Sequence, residues 1–426
     1  MKRIKVCLIV EGTYPYIMGG VSRWVHDLVT DLNDVRFSIL HLRYGSPPEH
    51  AAFDPPDNVE EVVNIPMEEF HDADVNSRWW SSVMKIPDAD IYHALATGFA
   101  GVLGVQIKNA SKRPFLLTEH GIYWREVQNG SDELECGFKI TGINNQLFGV
   151  TAERHHWCKS LRGLAAEAYA HADRITTVAR VNLKYQWELG ARPDLCRVIP
   201  NGVRKTTQVA DDPTPHFAFV GRVTPIKDVT TCLLAMARVR DKHPNARFSI
   251  VGPLQHDPEY VAHVQDLAKK LKFNSEIFIG ECDPQQTYLS STALVLTSIS
   301  EALPYVALEA MSYGVPLITT DVGDCPDLVH GGIGDNLGDA GYVTPVADPY
   351  ATSDAMLAMM DHPEQRSEMG RIARLRVVQH YKRDAVANAY REIYQELGRS
   401  AVNQQSVVSA WDADTVSHSV SQQSSQ

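Results

Sequence analysis

Short runs of β-branched and other apolar residues, each followed by a helical segment, recur along this chain in two separate series. The first series holds Ile4–Val10, Arg36–Leu42, Asp90–His93, Phe115–Glu119 and Arg174–Val178, with helices that include Ser22–Leu32 and Lys159–Ala172. Such alternation predicts parallel sheets covered on both faces. VIPNGVRKTTQVADDPTPH, rich in Pro, Thr and Asp, then reads as a linker. Beyond it HFAFVGRV, RFSIVGP, EIFIGE, ALVLTS and VPLITTDV start five further strands. The expected fold is α/β, two Rossmann-like doubly wound domains, residues 1–204 and 205–373, facing each other across a cleft. A chain of 426 residues is long enough for two cores. In such sheets ligands sit at the carboxyl ends of the strands.

Two segments stand outside this scheme. Residues 374–398 carry Tyr381, Ala385, Ala389, Ile393 and Leu397 at helical spacing, which predicts a helix on the body, with a return to the first domain left open. Residues 399–426 are Ser/Gln/Val-rich and read as a disordered tail. The net charge of −12 comes with no basic run, so the electrostatic footprint of nucleic-acid binding is missing. Seven scattered cysteines without a C-x-x-C suit reduced, mostly buried thiols better than disulfides or a zinc site. The first apolar run, IKVCLIV, lacks a signal-peptide pattern, and no stretch approaches the roughly 20 apolar residues that span a bilayer. A cytoplasmic protein is expected, with peripheral docking on a membrane complex open.

Four segments carry chemistry. SEALPYVALEAMSYGVP puts Pro304 in a first helical turn and Gly314 just past the helix end. Glu309 interrupts an otherwise nearly apolar helix, and a buried carboxylate needs partners: paired sugar hydroxyls or an internal arginine. Glu301 lies in the loop entering that helix, beside backbone N–H groups of Leu303–Val306 that could meet phosphate or sugar oxygens. FVGRVTPIKD sets Arg222 and Lys227 at the end of a strand, where two cations suit a diphosphate or are plain surface charges. EGTYPYIMGGVSRW opens a helix with Gly19 and Gly20, allowing close approach to helix amides or serving only as a turn. It is neither G-x-G-x-x-G nor a P-loop. FLLTEHGIYWRE leaves His120 at a strand's carboxyl end, able to bond a sugar hydroxyl or to play a structural part.

Taken together, the four segments resemble the family-4 glycosyltransferases of GT-B fold over about residues 3–397. The wording of EGTYPYIMGGVSRWVHDL, LLTEHGIY, GRVTPIKDV and GPLQHDPEY is most similar to the PelF-type enzymes of Pel exopolysaccharide synthesis. The resemblance implies a retaining transferase that needs no metal or other cofactor and takes its sugar from a nucleotide-sugar, UDP-linked by family habit. It implies that Arg222 and Lys227 hold the donor diphosphate, that Glu309 binds the ribose, and that Glu301 meets the donor sugar beside the backbone of Leu303, Pro304, Tyr305 and Val306. It places Gly19 and Gly20 against the donor from the opposite domain, His120 near the anomeric centre, and Glu281 and Cys282 around the base. The acceptor would be a glycan or other hydroxyl compound, and a membrane-bound polysaccharide synthesis complex is the partner implied. Ala302 stands where the family usually has Gly or Ser, and Tyr305 where a smaller aliphatic residue or Phe is usual, which leaves the donor sugar open. An epimerase or phosphorylase on the same fold, or a nucleotide-sugar-binding scaffold without turnover, is the alternative.

Overall fold

A computed structural model describes residues 3–46, 48–67, 86–131, 134, 136–138, 140, 152–210 and 214–399. β1 (Lys5–Glu11), β2 (Arg36–Arg43), β3 (Val59–Pro66), β4 (Ile91–Ala94), β5 (Phe115–Glu119), β6 (Arg174–Thr177) and β7 (Cys196–Val198) form one parallel sheet ordered β3-β2-β1-β4-β5-β6-β7. β8 (His216–Val220), β9 (Arg247–Val251), β10 (Phe278–Gly280), β11 (Ala293–Leu296), β12 (Leu317–Thr320) and β13 (Gly341–Thr344) form a second, ordered β10-β9-β8-β11-β12-β13. The first domain carries α1 (Gly20–Asp31), α2 (Phe99–Ser111), α3 (Tyr123–Gln128), α4 (Ala152–His171) and α5 (Asn182–Glu188). The second carries α6 (Val229–Lys242), α7 (Pro258–Lys270), α8 (Gln285–Leu289), α9 (Tyr305–Ser312), α10 (Cys325–His330), α11 (Pro349–Asp361) and α12 (Pro363–His380).

Strand order reverses between β1 and β4 in the first sheet and between β8 and β11 in the second. The loops after β1 and β8 therefore open at switch points, where doubly wound sheets bind ligands. The β1–α1 loop holds Gly19, and the β8–α6 loop holds Arg222 and Lys227. The central strands are buried along their length, the signature of a sheet covered on both faces.

Three strands escape the sequence reading. β3 is an edge strand with Glu60 and Glu61 exposed, so its apolar run is broken by charge. β7, only three residues long, and β13 also lie at sheet edges, where little burial is needed to specify them. The helix expected from Lys159 begins earlier, at Ala152.

The helix expected over residues 374–398 is broken. α12 ends at His380, Tyr381 adopts a non-helical conformation, and a terminal helix runs over 383–399. Its buried face is Ala387, Tyr390, Ile393, Tyr394 and Leu397, while Ala385 is exposed. A strict i, i+4 stripe advances 400° per step on a helix of 3.6 residues per turn, so it drifts off the buried face within a few turns. The terminal helix packs on the first domain beside Val6, Leu8, Trp24 and Phe37. Tyr394 Oη meets His93 Nδ1 at 2.8 Å, His93 Nε2 meets Thr118 Oγ1 at 2.6 Å, and Tyr390 Oη lies 3.1 and 3.0 Å from Thr118 and Thr176. His93, Thr118, Thr176, Tyr390 and Tyr394 thus satisfy one another, as a buried network requires. The expected disordered tail, from 400 onward, lies outside the described residues.

Candidate functional site

One cleft between the domains, of about 2410 Å³, is lined by all thirteen residues singled out above. That exceeds the roughly 300–1,000 Å³ of a pocket for one small ligand and leaves room for two substrates.

The second-domain wall is built around α9. Pro304 caps the helix from an extended conformation instead of starting its first turn, and Gly314 follows the end at φ 79°. Lys227 closes a short 3-10 turn, Pro225–Lys227, after which Asp228 takes a left-handed conformation. The Asp228 carboxylate accepts from the Thr231 amide at 3.1 Å, and its carbonyl accepts from Thr297 Oγ1 at 2.8 Å. Those contacts fasten the β8–α6 turn to the loop after β11. As a result Lys227 Nζ donates to Glu301 Oε1 at 2.5 Å, and Ser298 Oγ donates to the same oxygen at 2.7 Å. The two charged side chains are 19% and 10% exposed, so Glu301 is not a solvated loop residue. Among the described residues both hydrogen bonds to Glu301 reach Oε1 and none reaches Oε2.

Glu309 is partly buried and accepts from Tyr288 Oη at 3.1 Å. Burial pushes its carboxyl above the usual range, opposed by Arg23 of α1, from across the cleft, and by the Tyr288 bond. Arg23 acts on Glu309 only through its charge: its ion pair is with Asp27, and the bonded partner of Glu309 is Tyr288. Neither Arg23 nor Tyr288 is marked in the sequence by any motif. Arg222, Glu281 and Cys282 are exposed on the same wall. A Cβ on Gly252, φ 145°, would stand 2.0 Å from the Gly221 carbonyl, so the ends of β8 and β9 close up only with glycine there.

On the first-domain wall, Gly19 has extended backbone, caps α1, and faces open space. Gly20 starts the helix and lies against Tyr305, which spans the domains. His120 follows β5 with its ring edge-on to Trp24, centroids 4.8 Å apart. Its Nε2 is shielded from water and has no hydrogen-bond partner among the described residues. Glu119, beside it, is fully buried and accepts from Thr97, Tyr169 and Gln186, a structural carboxylate. The walls are pinned together where Asn201 Nδ2 donates to the Leu303 carbonyl at 2.7 Å, and where Asp324 accepts from the Arg180 and Val181 amides at 2.5 and 3.0 Å. Among the described residues no three His, Cys, Asp or Glu side chains converge as a metal site would need. No described helix is long and apolar enough to cross a membrane.

Burial pushes the His120 imidazole down to about 3. Its folded value lies below the unfolded value of about 6.5, so the unfolded chain takes the proton first and His120 subtracts stability as pH falls through that window. Buried Glu119 and Glu309 have raised values and act in the opposite direction. A comparison with His120→Gln cancels them. Between pH 7 and pH 5 the variant should lose about 2 kcal/mol less stability than wild type by urea denaturation. Equal losses would show that His120 titrates normally.

Two facing parallel sheets with switch-point loops turned to a shared cleft define the GT-B class. Sucrose-phosphate synthase from Thermosynechococcus elongatus matches with TM-score 0.73 over 93% of this chain and 100% of that chain, at 18% identity. Anabaena HepE matches with TM-score 0.68 over 92% and 99%, at 15% identity. Residues 205–376, most of the second domain, are similar to the family model of glycosyl transferases group 1. Residues 4–85 and 79–194 match a domain of unknown function, DUF3492. The N-acetyl-alpha-D-glucosaminyl L-malate synthase of Bacillus anthracis is 28% identical over 190 residues, 44% of this chain and 46% of that protein. A D-inositol 3-phosphate glycosyltransferase of Streptomyces griseus is 28% identical over 185 residues, 41% and 38% of the two. The chain spans less than half the length of these curated relatives.

Proposed function

We propose that the chain is a retaining glycosyltransferase that moves a sugar from a UDP-sugar to a hydroxyl group of a glycan acceptor, with no metal. The observation that carries this reading is the pairing of Lys227 with Glu301 beside Glu309, all facing Gly19 and Gly20 across one cleft. An ammonium has three protons, and Lys227 gives one to Glu301; the others serve the departing diphosphate, with Arg222 alongside. The free Oε2 of Glu301 suits a donor-sugar hydroxyl. Glu309, steadied by Tyr288, takes the ribose hydroxyls, and the Tyr305 and Val306 amides at the start of α9 face sugar or phosphate oxygens. The unpartnered Nε2 of His120 suits a hydroxyl near the anomeric carbon. Glu281 and Cys282 frame the base. Anabaena HepE has been seen with UDP and glucose, which supports UDP as the nucleotide. A cytoplasmic site in exopolysaccharide synthesis, beside a membrane complex, follows from the PelF-type resemblance.

Calorimetric titration with UDP, GDP and ADP in EDTA tests the donor site. UDP should bind selectively, and Glu309→Ala should weaken it about tenfold or more, the worth of a charge-assisted bond. A folded protein that binds none of the three would overturn the reading.

A further inference from the structure

The chain as a whole carries a net charge of −12, yet its first-domain wall is cationic. Among the described residues lining that wall, Arg23, Arg43, Arg125 and Arg154 face a single carboxylate, Glu126. Arg23 is paired with Asp27. Among the described residues Arg43 and Arg125 find no ion-pair partner and no acceptor for their side chains. Arg43 ends β2, at the carboxyl edge of the sheet, and its Nε is shielded from water without an acceptor. A buried guanidinium N–H left unmet is costly, so the position asks for a partner from outside the chain. Arg125, on α3, lies over the Tyr185 ring at 3.9 Å. An aromatic face holds the guanidinium flat and leaves its in-plane N–H fork free for two oxygens of one anion.

We infer that the acceptor bound along this wall carries an anionic group, a carboxylate or a phosphate ester, met by Arg43 or Arg125. The inference rests on the glycosyltransferase reading, in which Arg222 and Lys227, on the opposite domain, already serve the donor diphosphate. Arg43 and Arg125 are then left for a second anion.

The test titrates the full chain, with and without saturating UDP, with glucose 6-phosphate, glucuronate and glucose. At least one of the two anionic sugars should bind about tenfold or more tightly than glucose, and whichever wins distinguishes phosphate from carboxylate. At least one of Arg43→Gln and Arg125→Gln should abolish that preference while UDP affinity stays at the wild-type value, which also reports an intact fold. Anionic sugars that bind no better than glucose, or a preference that survives both substitutions, would overturn the inference. Loss of UDP binding by wild type would instead count against the donor site, and the titrations without UDP would still read the anion preference.

Discussion

Lys227→Ala should lower turnover by about 10²–10³-fold, the cost of removing one preorganised charge from a site where negative charge develops. Two effects add. The departing diphosphate loses a cation, and Glu301, only 10% exposed, keeps its charge with Ser298 as its remaining partner. That uncompensated carboxylate would then stand beside an incoming dianion. Glu301→Gln should recover part of the binding loss in the double variant, because the repulsion is gone while Ser298 can still donate. Lys227→Ala/Glu301→Gln should therefore fall well short of the summed single effects. Steady-state UDP release on the four proteins measures this directly. Additive losses would mean that the two side chains act independently despite their 2.5 Å contact.

The largest effect on stability should come from Arg383→Ala, about 3–5 kcal/mol, as expected when one partner of a buried ion pair is removed. Arg383 is 9% exposed and bridges two carboxylates of α1, with Nη1 2.5 Å from Asp27 and Nε 2.5 Å from Asp31. It fixes the start of the terminal helix, whose Tyr390 and Tyr394 complete the first-domain core. Without it Asp27 keeps only the longer 3.4 Å contact to Arg23, and burial already pushes the Asp27 carboxyl up. Arg391→Ala is the control: it breaks a 3.2 Å pair with Asp34, whose side chain is 52% exposed, and should cost no more than about 1 kcal/mol. Guanidinium denaturation of both variants separates the cases. Equal midpoint shifts would mean that the buried bridge contributes no more than a surface pair.

The buried strands were legible because a parallel sheet covered on both faces needs continuous apolar runs, and IKVCLIV, FLLTE and HFAFV supply them. Edge strands such as VEEVVNIP were missed because one exposed flank relaxes that need. Gly19, Lys227, Glu301 and Glu309 could be picked out since each lies in a local pattern tied to a strand end or a helix start. Arg23, Tyr288, Arg43 and Arg125 could not. Arg23 looks like an ordinary surface arginine on an amphipathic helix until the domains face each other, and Tyr288 like a core aromatic until its hydroxyl meets Glu309. What the first-domain wall binds depends on residues from β2, α3 and α5 brought together only by the sheet.

The central claim is sugar transfer from a nucleotide donor, and acceptor-dependent release of UDP tests it most directly. The purified chain would be given UDP-sugars with neutral and anionic sugar acceptors in EDTA, with free UDP followed over time and the product's anomeric configuration read by NMR. The account predicts that UDP accumulates when an acceptor is present, that the new bond keeps the donor's configuration, and that Lys227→Ala slows UDP release by about 10²–10³-fold. UDP-sugars that bind in the cleft but remain intact with every acceptor, or are converted to an epimer without release of UDP, would contradict it.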